Sequence, residues 1–172
     1  MVAACQPGSN LSPLVSAKET PYRLGIDEQL RIITFGQEQL TGQFLINDRG
    51  EVAIPLLGAI RAEGLTTAEL EQSIEQRLIE KKVFSKPSVS VEIVTYRPVY
   101  VLGEVTKPGE YPYKPNSTVL SMIARAGGYT YRAQTQYSSI VRSDGSRPVE
   151  GQVSRNESVR PGDIINVFDR YY

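Results

Sequence analysis

A chain of 172 residues carries 19 Lys and Arg against 19 Asp and Glu, with 40% hydrophobic and 22% charged residues. At roughly 150 residues per domain this is one domain or two small ones, and the composition excludes disordered and collagen-like chains. The sequence has no His, no Trp and one Cys, which removes the commonest general base, the commonest metal ligand and any thiolate metal site. No catalytic residue, metal or cofactor is therefore expected. A net charge of zero argues against nucleic acid as a partner, because neutralising phosphates takes an excess of Lys and Arg on one face. No stretch approaches the roughly 20 consecutive apolar residues of a spanning helix.

The chain opens on Val2-Ala3-Ala4-Cys5, similar to the end of a bacterial lipoprotein signal, where small residues precede an acylated Cys. The charged start and apolar run of such a signal are missing, so the given sequence is expected to begin inside a trimmed one. Two readings stand: a lipid-bearing Cys5, or a chance Cys in a terminal segment. Gln6 to Thr20 is rich in Pro, Ser and Gly without periodicity, which makes residues 1–20 an anchor and flexible tether.

Leu30 to Phe35 reads as a strand. Phe44-Leu45-Ile46 and Val52-Ala53-Ile54 flank Asn47-Asp48-Arg49-Gly50 and read as a hairpin, because Asn, Asp and Gly tolerate the left-handed turn. Leu56 to Ile60 is a further strand candidate. Thr66 with Glu69 forms a capping box, Leu65 and Leu70 a hydrophobic staple, and Leu70, Ile74 and Leu78 recur every four residues. That predicts a helix ending before Phe84 to Pro87, with Glu71, Glu75 and Lys82 largely outside. Ser88 to Thr95 alternates like a half-buried strand.

Arg97-Pro98 interrupts the pattern and sets a module boundary near Tyr96 to Pro98. Beyond it come a strand at Val99 to Leu102, a turn at Lys107-Pro108-Gly109, a short strand around Tyr111 and a helix from about Thr118 to Ala126. Gly127-Gly128 ends that helix. Ser139 to Arg142, Asp144-Gly145 and Val149 read as a hairpin whose second arm Pro148 places at an edge, and Ile164 to Phe168 closes the fold. Edges near Pro98 and Pro148 are the expected places for subunit contact. Arg23-Leu24-Gly25-Ile26-Asp27 is echoed by Arg160-Pro161-Gly162-Asp163, each leading into a strand. The expected fold class is α+β: two small modules, each a curved mixed β-sheet with one helix packed on it, the second β-grasp-like.

These residues also carry a resemblance. Tyr22 to Asp27, Gly50 to Gly58 and Gly64-Leu65-Thr66 resemble the polysaccharide export domain of bacterial outer-membrane exporters, over residues 21–96. Gly103-Glu104-Val105, Lys107 to Tyr111, Thr118-Val119-Leu120, Ala126-Gly127-Gly128 and Pro161 to Ile165 resemble a soluble ligand-binding β-grasp domain, over residues 97–172. The resemblance implies a non-catalytic lipoprotein, anchored through Cys5 on the periplasmic face of the outer membrane. It implies a homo-oligomeric ring around a polysaccharide chain in transit, with an inner-membrane polysaccharide co-polymerase as partner. Well-known members end in an amphipathic helix that crosses the outer membrane. This sequence stops at Asp169-Arg170-Tyr171-Tyr172, so the expectation is a short member that works with a separate outer-membrane barrel.

Nine of the ten Tyr lie from Tyr96 onward. A tyrosine can cover the apolar face of a sugar while its hydroxyl bonds a sugar hydroxyl, or it can simply pair across strands. Tyr129 and Tyr131, in a loop after a helix stop, and Tyr111 are the candidates for ligand contact; Tyr100, mid-strand, is the poorest. Residues 1–96 hold 9 basic and 12 acidic side chains, and residues 97–172 hold 10 and 7. Opposite signs on the two modules favour head-to-tail contact between subunits, unless they are ordinary scatter. Asp27, Glu28, Glu104, Glu110 and Asp163 sit mostly beside Gly or Pro and read as turn supports, not as an acid/base pair for glycoside cleavage. The alternative to an export ring is a monomeric periplasmic module that binds a glycan or a protein.

Overall fold

The structure, a computed structural model, describes residues 7–16, 20–143 and 147–170. Cys5, Asp144-Gly145, Tyr171 and Tyr172 lie outside the described residues. The chain divides into two compact units, Pro21–Arg97 and one that joins the described residues up to Thr20 to Pro98 and beyond.

In the unit Pro21–Arg97, β1 (Gln29–Thr34) is the centre of an antiparallel sheet, flanked by β2 (Gly42–Leu45) and β5 (Val89–Thr95). A separate hairpin pairs β3 (Glu51–Ile54) with β4 (Gly58–Arg61). The single α-helix, α1 (Thr67–Glu80), begins as the sequence predicts. Thr66 Oγ1 accepts from Glu69 N at 3.2 Å, and Glu69 Oε2 accepts from Thr66 N at 2.8 Å, which satisfies two N–H groups the helix cannot. Leu70, Ile74 and Leu78 are fully buried in one core with Leu30, Ile32, Val52 and Ile60; each such side chain contributes about 1.5–3 kcal/mol.

Two expectations are corrected here. The turn at Asn47 to Gly50 forms, with Asn47 Oδ1 accepting from Arg49 N at 3.0 Å and Glu51 N at 2.9 Å. Its flanking strands nevertheless pair elsewhere, β2 with β1 and β3 with β4. A local turn sets the chain's direction, but burial of one face across the unit decides partners. Glu71 and Glu75, expected largely outside, are half-buried. Their carboxylates accept from Val91 N at 2.8 Å and Val89 N at 3.0 Å, closing N–H groups on the edge of β5 that does not face β1.

The second unit is a mixed five-stranded sheet in the order β7 (Gly109–Tyr111), β6 (Val99–Gly103), β10 (Ile164–Val167), β8 (Tyr137–Arg142), β9 (Val149–Ser154). The β6–β10 pair is parallel, with Val101 opposite Ile165; the other pairs are antiparallel. α2 (Val119–Arg125) starts at a capping box of Thr118 with Ser121. It buries Val119, Met122 and Ile123 in one core with Val99, Val101, Ile140 and Ile165. Each unit is thus an α+β module with one α-helix among its described residues, as the alternating patterns imply.

Residues 7–16 correct the expectation of a flexible tether. Pro13 bridges Gln152 in parallel, Leu14 N donates to Gln152 O at 3.0 Å, and Gln152 N donates to Ser12 O at 2.9 Å. The segment therefore lies along β9 as an added strand. Gly151 permits it, since a Cβ there would stand 2.8–2.9 Å from Leu14 atoms. Composition flagged the prolines but not the strand edge waiting for the segment. The contact edges expected near Pro98 and Pro148 change as well: Pro98 precedes β6, an interior strand, and the β9 edge is occupied by this chain's own residues 12–14.

Candidate functional site

In the second unit, the carboxyl ends of the parallel strands β6 and β10 open into three segments that are bonded together. Gly103 ends β6 at φ +84°, where an added Cβ would strike Val167 O, so only glycine lets the chain leave the sheet there. Glu104 N then donates to Val167 O at 2.9 Å. The loop that follows runs against the loop after α2. Thr106 N donates to Gly128 O at 3.0 Å, Lys107 N to Ala126 O at 2.8 Å, and Thr106 Oγ1 to Gly127 O at 3.0 Å. Gly127, at φ +83°, leaves no room for a Cβ beside Thr106. The Gly127-Gly128 pair is thus both a helix stop and the seat of the neighbouring loop.

Glu104 fastens the centre of this cluster. Its backbone O accepts from Thr130 N at 3.1 Å, and its Oε2 accepts from Thr130 Oγ1 at 2.5 Å. Arg132 pairs with Asp169, and Arg170 N donates to Arg132 O at 2.8 Å, which ties in the segment after β10. The Asp169 charge raises the Arg132 guanidinium above its ordinary range. The three segments are thus cross-bonded into one platform made of loops.

The three tyrosines named from the sequence fall on or beside this platform and differ in what they offer. Tyr129 bridges Val105, is half-buried against the core, and has its phenol raised by burial, with Arg155 opposing. Tyr111, on the edge strand β7, also packs on the core and donates its hydroxyl to Lys107 O at 2.5 Å. Tyr131 is 80% exposed. The fold therefore brings Tyr129 and Tyr131 into one loop and Tyr111 onto its neighbour, yet only Tyr131 shows most of its surface to solvent. Glu104, which the sequence marks as a turn support, fastens the platform, whereas Thr130 and the Arg132–Asp169 pair carry no sequence signal beyond their place near glycine turns.

Of the five carboxylates read as turn supports, Glu28, Glu104 and Asp163 are committed to structure, while Asp27 and Glu110 are exposed. Glu28 is fully buried and accepts from Tyr22 Oη, from Gly25 N at 2.9 Å and from Arg97 Nε at 3.4 Å. Burial first, and then the Glu28 charge, push the Tyr22 phenol far above its ordinary range. Asp163, also buried, accepts from Arg160 N at 2.7 Å and pairs with Arg142. Among the described residues no group of His, Cys, Asp and Glu is placed to hold a metal ion, and no helix is long and apolar enough to cross a membrane.

Residues 16–94 match the polysaccharide biosynthesis/export protein family, and residues 98–153 match the SLBB domain. The two matched domains, in this order, are those of a bacterial polysaccharide export protein. It is 36% identical over 125 residues to the exopolysaccharide production protein ExoF of Rhizobium meliloti, covering 65% of this chain and 29% of that protein. It is 28% identical over 153 residues to the EPS I polysaccharide export outer membrane protein EpsA of Ralstonia nicotianae, covering 74% and 39%. It is 28% identical over 137 residues to the capsule polysaccharide export outer membrane protein CtrA of Neisseria meningitidis, covering 74% and 34%. The chain spans about a third of the length of these curated relatives.

Proposed function

We propose that this chain is a non-enzymatic component of capsular or exopolysaccharide export, acting on the periplasmic face of the outer membrane. The observation that carries the proposal is the pair of matched domains in order, each falling largely within one compact unit of the fold. Copies of the chain form a ring around the passing polymer. Cys5 bears the lipid that holds the ring to the membrane, and an inner-membrane co-polymerase delivers the polymer.

The chemistry required is weak adhesion repeated many times. A conduit that gripped its cargo would stall, so useful affinity is spread over subunits that each contribute little. A cross-bonded loop platform with one exposed aromatic, Tyr131, supports such a role. Tyr111 and Tyr129 shape that platform from behind. Native mass spectrometry of the lipidated protein tests the ring: a closed oligomer is expected, and a strict monomer at high concentration in detergent argues for the monomeric binding module instead.

A further inference from the structure

We infer that the cavity between the N-terminal strand and the β8–β9 hairpin is a subsite for an acidic sugar unit, one bearing a carboxylate. This deepens the export reading by naming a cargo chemistry. The cavity has a volume of about 350 Å3, within the roughly 300–1,000 Å3 of small-ligand sites. It lies wholly inside the second unit and shares no lining residue with the Tyr129–Tyr131 loop.

Three arginines line it, Arg142, Arg147 and Arg160, against one lining carboxylate, Glu150, with Asp163 behind Arg142. Two of the three are fixed in place. Arg142 is held by Asp163 and donates to Val15 O at 3.1 Å, and Arg160 donates to Thr20 O at 2.7 Å. Glu150 is engaged too, accepting from Ser139 Oγ at 2.7 Å. Arg147 differs: it is exposed and forms no hydrogen bond or ion pair with any described residue. An unengaged guanidinium at the mouth of a cleft with excess positive charge offers the planar fork that a carboxylate accepts in bidentate fashion.

Leu14, Val15 and Val149 give the cavity an apolar wall beside Ser12 and Thr20. That surface suits the C–H face of a sugar ring better than a fully hydrated small anion. Both chemistries together describe a uronic acid, or a sugar carrying an acidic substituent. The cavity exists because residues 12–15 lie along β9. The same contact that replaces a tether by a strand therefore builds a binding wall.

The test uses the full chain and three probes: a tetramer of glucuronic acid, the neutral glucose tetramer, and sodium acetate at matched charge. Methyl NMR of Leu14, Val15 and Val149 reads occupancy. The acidic tetramer is expected to shift these methyls and to bind roughly tenfold more tightly than the glucose tetramer, and Arg147→Ala to lose about that factor. Arg147→Lys should recover only part of it, since an ammonium is a point charge without the fork. Equal response to both tetramers, equal response to acetate, no response, or full binding by Arg147→Ala each overturns the subsite. Deleting the whole chain in cells separates the two proposals. If secretion then fails while the purified protein ignores the acidic tetramer, the export role stands and the subsite falls.

Discussion

Arg142 grips Asp163 through two parallel bonds, Nε to Oδ1 at 2.9 Å and Nη2 to Oδ2 at 2.7 Å, with both side chains almost wholly buried. Asp163 also accepts the backbone N–H of Arg160, three residues earlier. The other unit repeats the device: Glu28 accepts the N–H of Gly25, three residues earlier, and pairs with Arg97. In each case the carboxylate braces the bend that leads into a strand.

Removing one partner strands the other charge in the interior, which costs about 3–5 kcal/mol. Arg142→Ala should destabilise the second unit by that amount in chemical denaturation, and Arg142→Met with Asp163→Leu by much less than the two single changes summed. Additive losses contradict the coupling.

Tyr22 is held protonated by burial and by Glu28. A phenol whose folded value is raised contributes stability that is complete below its unfolded value, about pH 10, and lost as pH rises further. Ultraviolet titration should find Tyr22 silent where exposed tyrosines ionise, and Tyr22→Phe should flatten the alkaline loss of stability. Ionisation of Tyr22 near its ordinary value contradicts this.

Glu69 runs the other way. Its bond from the Thr66 backbone, aided by Arg23, lowers its carboxyl. A depressed value gives stability that is present above the ordinary glutamate value of about 4.3 and lost as pH falls through the folded value. The start of α1 should fray on acidification below about pH 4.3, and Glu69→Gln should remove that dependence. Hydrogen exchange at the first turn of α1 reads both.

Gly151→Val should expel residues 12–14 from β9, because the new Cβ meets Leu14. The Gln152 amide loses its protection from exchange, the N-terminal segment becomes open to protease, and the unit Pro21–Arg97 stays unchanged. A bared β9 edge is also a template for pairing with other chains, so the variant should self-associate at high concentration. Intact protection at Gln152 contradicts the strand addition.

How far the sequence carries depends on whether the determinant is local. α1 was legible because Thr66, Glu69 and the Leu70–Ile74–Leu78 stripe lie within one window. β2 and β3 were paired wrongly because their partners, β1 and β4, are chosen by burial across the unit. The echo between the modules was visible but one residue out of register: Asp27 is in the left-handed turn, and Glu28 is the buried brace. Loop position alone does not tell Tyr129 from Tyr131; packing does, burying part of Tyr129 and leaving Tyr131 exposed. The arginine cavity was hidden for the same reason, since Leu14, Arg147 and Arg160 meet only in three dimensions.

The central claim is export. Cells lacking this chain, with and without a plasmid copy, should be compared for secreted polysaccharide against polysaccharide retained in the periplasm. Secretion is expected to fail without the chain, with polymer retained inside, and to return with the copy; undiminished secretion without the chain contradicts the claim.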